Sequence, residues 1–69
     1  MFALNIPKQQ TKYCEHWYEV RVYLNFAFDK WFASKEENGM VKIYESKSSY
    51  QNNGKVIAFY KIIESEICH

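Results

Sequence analysis

The sequence predicts an α+β fold, a small antiparallel sheet of three to four strands with one short helix packed on it. Three observations carry this expectation. Residues 18–28 alternate apolar and other side chains with a period of two, which is the pattern of a half-buried strand. The period lengthens to helical spacing from Asp29 onward. Two Asn-Gly pairs, Asn38-Gly39 and Asn53-Gly54, punctuate the second half of the chain. The alternative is an all-β meander or small barrel, in which 29–38 prolongs the preceding strand and turns at Asn38-Gly39.

The first element is a strand over 2–6. Phe2, Leu4 and Ile6 alternate with Ala3 and Asn5, and Pro7 stops the run. An edge position is expected, where a proline leaves no ladder bond unmade. A polar connection, KQQTK, leads into a long strand over 13–28, with Tyr18, Val20, Val22, Leu24, Phe26 and Phe28 on one face. Phe28, Trp31, Phe32 and Lys35 then follow i, i+3, i+4, i+7 spacing, and Asp29 is a suitable N-cap. These features give a helix over 29–38, closed by Asn38-Gly39 with glycine in the left-handed region. Strands over 40–47 and 55–64 form a hairpin around Asn53-Gly54, where a type I′ turn needs positive φ at both central residues. The second arm, KVIAFYKII, is apolar on both faces and is therefore expected to be central or covered on both sides.

Sixty-nine residues predict a single domain, 1–69, that buries only about 60 % of its unfolded surface. Aromatic residues make up 19 % of the chain, more rings than so small an interior needs. Some are expected on the surface, where Trp and Tyr commonly anchor interfaces. Nine basic residues against eight acidic ones leave a net charge of +1. That balance fits neither a strongly basic nucleic-acid binder nor an acidic nucleic-acid mimic. The N-terminus lacks a charged region followed by an apolar run, so no signal peptide is expected. No stretch approaches the ~20 apolar residues that cross a bilayer. A cytoplasmic protein without membrane contact follows, with its thiols reduced.

No phosphate loop, HExxH or EF-hand spacing is present, and neither a catalytic residue nor a cofactor is assigned. Cys14, His16, Cys68 and His69 carry zinc-ligand chemistry but show no CxxC knuckle. They are read as a buried small hydrophobe, a surface imidazole and a chain end, so no metal is assigned. Pairing Cys14 with His16 as nucleophile and base lacks an orienting acid, and a Cys14–Cys68 disulfide is disfavoured in a reducing compartment. The predicted partner-binding face is Trp17, Arg21 and Tyr23, a row on the strand face opposite Val20, Val22 and Leu24.

Lys30-Trp31-Phe32 is similar to the KWF run of cold-shock domains over three residues. The continuation ASKEENGMVKI lacks that family's base-stacking rings, and no residue is carried over. The chain resembles, as a class and without a shared motif, the small inhibitors made by phages and mobile elements, anti-CRISPR proteins among them. The excess of lysine over arginine and the frequent Asn, Ile and Tyr fit AT-rich coding from such a source. The expected function is a non-enzymatic protein-interaction domain that covers a partner surface, in the host cytoplasm if phage-encoded. The alternative is a single-stranded nucleic-acid binder using the aromatic row with Lys12, Lys30 and Lys42. A homodimer through the same face is the third candidate.

Overall fold

The computed structural model describes residues 1–63 of the chain. In chain order it contains β1 (Phe2–Asn5), β2 (Lys12–Cys14), α1 (Trp17–Ala27), β3 (Phe32–Ala33), β4 (Met40–Tyr44), α2 (Lys47–Gln51) and β5 (Val56–Ile62). The five strands form one antiparallel sheet in the order β2-β1-β5-β4-β3. The fold is therefore α+β, with a helix packed on an antiparallel sheet. The sheet is larger than the expected three to four strands, and the all-β alternative drops out.

The doubly apolar segment KVIAFYKII supplies the central strand, β5, flanked by β1 and β4. Leu4, Tyr60 and Val41 lie opposite one another across these three strands, and Ile43 lies opposite Ala58. These side chains form one buried cluster with Ile6, Cys14, Val20 and Leu24. A register shift at Ile43/Tyr44 leaves Ile57 as an extra residue between Val56 and Ala58, and Ile57 joins the packing around that cluster. β1 is not an edge strand as expected, because β2 covers its outer side. Pro7 lies just beyond the last paired residue, so it breaks no ladder bond.

The strand expected over 13–28 ends at Cys14, and Trp17–Ala27 is a helix. A step of two residues rotates a helix by about 200°. The even-numbered apolar residues therefore separate into two series on opposite sides. Val20 and Leu24 are fully buried against the sheet, whereas Tyr18, Val22 and Phe26 face outward. Glu19 supports the helix start by accepting from the Glu15 N–H at 2.8 Å and the His16 N–H at 3.4 Å. Its negative charge in the first turn also suits the helix dipole.

The helix expected over 29–38 is absent. Phe32 and Ala33 instead form the short edge strand β3, paired with Tyr44 and Ile43. Trp31 Nε1–H donates to Asn25 Oδ1 at 2.7 Å, and this bond ties the segment after α1 back to the helix. The strand expected over 40–47 ends at Tyr44, and α2 follows with Ser46 as N-cap, its hydroxyl accepting from the Ser49 N–H at 3.2 Å.

The two Asn-Gly pairs exchange the expected roles. Asn38 and Gly39 both have positive φ, 54° and 77°, and make the tight turn between the Glu37 and Met40 bridge partners. Asn53 instead closes α2 with φ 55°, while the Gly54 N–H donates to the Ser49 carbonyl at 2.7 Å. A Cβ at Gly54 would lie 3.0 Å from that carbonyl oxygen, so glycine is needed there for space.

Helical packing of Trp17–Ala27 predicts unequal costs for two chemically similar truncations. Leu24→Ala should lower unfolding free energy by about 2–5 kcal/mol, and Phe26→Ala by no more than about 0.5 kcal/mol. Chemical denaturation of both variants checks this, since a strand with all even positions inward would make both costly.

Candidate functional site

The site follows from how α1 is held. Val20 and Leu24 fix its inner stripe, and Trp17 anchors its first turn within an aromatic cluster. The Trp17 ring centroid lies 5.4 Å from Tyr60, 6.3 Å from Phe2 and 6.5 Å from Trp31. Such ring pairs add about 0.5–1.5 kcal/mol each beyond the area they bury. With the inner stripe set, the outer one is fixed as well. Tyr18 is 61 % exposed, Val22 60 % and Phe26 91 %. These residues stand at i, i+4 and i+8, one above another on the helix surface.

The ridge has structured flanks. On one side a shallow groove between α1 and the edge strand β2 is lined by Tyr13, Tyr18, Glu19, Val22 and Tyr23. Lys12 Nζ lies 5.2 Å from the Tyr23 ring centroid, a cation–π contact that holds the ring at the groove wall. At the N-terminal end the His16 and Tyr18 rings stack at 5.6 Å with planes 9° apart. Arg21 and Asn25 border the other side of the ridge, as helical rotation from Val22 requires.

The predicted row Trp17, Arg21 and Tyr23 does not form, because those residues lie on a helix and not on a strand. Trp17 packs on Phe2, Tyr60 and Trp31 while remaining 39 % exposed. Arg21 is exposed one turn later, and Tyr23 lies about 200° around the helix from Arg21. Only Tyr23 borders the ridge groove. Tyr13, Tyr18, Val22 and Phe26 went unnamed as site residues. The signal for Tyr18, Val22 and Phe26 is the i, i+4, i+8 repeat hidden inside the apparent period of two, whereas Tyr13 lies on β2 outside it.

Cys14 and His16 part company as well. Cys14 is 1 % exposed on the helix-covered side of the sheet, and His16 stands outward as the N-cap of α1. Cys68 and His69 lie outside the described residues. No group of three or more metal-ligating side chains occurs among the described residues. No described helix is long and apolar enough to cross a membrane. Lys12 and Lys42 lie on opposite sides of the sheet, since Lys12 pairs with core-facing Leu4 and Lys42 alternates with buried Val41 and Ile43. The Lys12–Lys30–Lys42 constellation is therefore split.

Burial, reinforced by the Glu19 carboxylate and opposed by Lys12, pushes the Cys14 thiol above its ordinary pKa. Burial likewise raises the Tyr60 phenol. At neutral pH Cys14 is thus a packed thiol and not a thiolate nucleophile. No protein-family model, curated protein or solved structure matches this chain.

Both raised groups are acids that folding keeps protonated. Their contribution is fully present below the unfolded pKa and is lost as pH rises toward the folded one. The unfolded chain ionises first across that interval. The melting temperature should therefore be flat near neutrality and fall from about pH 8.5 upward, with Cys14→Ala removing the first part of the fall. Thermal melts across that range check the sign, and a rise with pH would contradict it.

Proposed function

We propose that this chain is a non-enzymatic protein-interaction domain that lays the outer ridge of α1 into an apolar groove of a partner protein. The observation that carries the proposal is the 91 % exposure of Phe26 in line with Val22 and Tyr18 on a helix fixed from below. Helix-in-groove recognition uses apolar anchors at this spacing. The Tyr18 ring, already stacked on His16, loses little conformational freedom on docking. The ridge is continuous rather than a scatter of single apolar residues, which would need no explanation. Arg21 and Asn25 on one flank and Glu19 on the other would orient the helix in the groove. As to source, the AT-rich coding pattern supports a phage or mobile-element protein that inhibits host nucleic-acid or defence machinery in the host cytoplasm.

Capture from lysate of the source cell tests this reading by comparing wild type with Val22→Asp/Phe26→Asp. Both positions are exposed, so the double variant should keep its fold and its circular dichroism. A discrete partner retained by wild type should be lost by the double variant and kept by Lys42→Glu on the opposite side of the sheet. A folded double variant that recovers the same partner would overturn the proposal. Sedimentation separates self-association, because a wild-type dimer that the double variant dissolves would make the partner a second copy.

A further inference from the structure

The side of the sheet facing away from α1 has its own composition. Asn5, Phe59, Lys61, Met40, Lys42 and Tyr44 occupy it around the buried Ala3, with Tyr13 of β2 at its edge, as the cross-strand pairing requires. Phe59 lies directly opposite Lys42 on β4, and Lys61 stands two residues further along β5. The half-buried ring therefore has lysines both across and along the sheet, within about 5–7 Å at the backbone. Neither lysine is ion-paired among the described residues. None of these six positions carries a carboxylate, and Glu37 stands at the rim beside Lys35 and Lys42. At the far end Tyr50 of α2 packs on Phe32 and Tyr44 at 5.3 and 5.4 Å, leaving the Phe59 region uncovered by any described helix.

We propose that this face is a platform for single-stranded nucleic acid, with Phe59 stacking a base and Lys42 and Lys61 holding the flanking phosphates. The charge and the ring specify this ligand together. An acidic peptide would use the lysines without the ring, and an apolar partner would use the ring while stranding two ammonium groups. A duplex keeps its bases stacked inside and offers Phe59 no free base face. This inference shares no residue with the α1 ridge. The two faces lie on opposite sides of the molecule, so either can fail alone.

Fluorescence anisotropy with labelled oligothymidine and oligouridine tests the proposal and separates DNA from RNA as the source of the strand. Binding to at least one is expected at low salt, with log K falling against log salt at a slope of about −1.4 for two phosphate contacts. Phe59→Ala should weaken binding by about 5- to 150-fold. Lys42→Gln/Lys61→Gln should weaken it and flatten the salt slope, while Phe26→Asp leaves it unchanged. The two lysines are exposed, so their double variant carries the test if Phe59→Ala does not fold. The proposal is overturned by no binding to either oligonucleotide at low salt, or by equal affinity in the folded variants. Equal affinity for duplex, or binding of polyglutamate without binding of oligonucleotide, would also overturn it.

Discussion

The seating of Val20 and Leu24 on the sheet is the contact on which the rest of this structure depends. They are the only fully buried side chains that α1 contributes, and they meet Leu4, Val41, Ile43, Ala58 and Tyr60 from the other layer. A domain of this size has little core to spare, so one helix must cover the middle of the sheet. Once those two residues point inward, every other position on α1 has its direction set. Trp17 falls onto Phe2 and Tyr60, and the Trp31–Asn25 hydrogen bond fixes the chain leaving the helix.

That constraint leaves apolar surface on the outside. Phe26 gains almost nothing from the fold, and Tyr18 and Val22 leave most of their surface in solvent. The sheet's second face is in a similar position, because among the described residues only α2 packs on it, at one end. A small α+β domain with one long helix necessarily presents two such surfaces. Here they differ in chemistry. The helix ridge is apolar and flanked by single charges of both signs, and the sheet face sets an aromatic ring beside lysines that have no ion-pair partner among the described residues. The first suits a protein groove, and the second suits a flexible anion with flat bases.

Much of the sheet was legible in the sequence. Phe2–Ile6 and Val56–Ile62 read as strands because their apolar patterns coincide with their burial, and the doubly apolar β5 read as central. The segment 17–27 did not, for a physical reason. Its β-branched and aromatic residues favour strand locally, and its even-numbered apolar positions mimic a period of two. Tertiary packing of the 20/24 pair overrides that preference. The available clue was Glu19, three residues after His16, where an acid can serve backbone N–H groups at a helix start. The roles of the two Asn-Gly pairs were likewise not separable locally, since both dipeptides supply positive φ. What separates them lies upstream, where Ser46 caps a helix before Asn53, and a strand precedes Asn38. Reading 17, 21 and 23 as one face assumed a pleat, and a helix distributes those residues around its circumference.

Both exposed faces follow from the helix over 17–27, which turns 20 and 24 inward and 18, 22 and 26 outward. Nuclear Overhauser contacts in solution test this most directly. This helix requires contacts between residues three and four apart across 17–27. It also requires contacts from the Val20 and Leu24 methyls to the Tyr60 ring, and none from the Phe26 ring to the sheet. Cross-strand Hα–Hα contacts within 18–28, or Phe26 packed against the sheet together with Leu24, would contradict it.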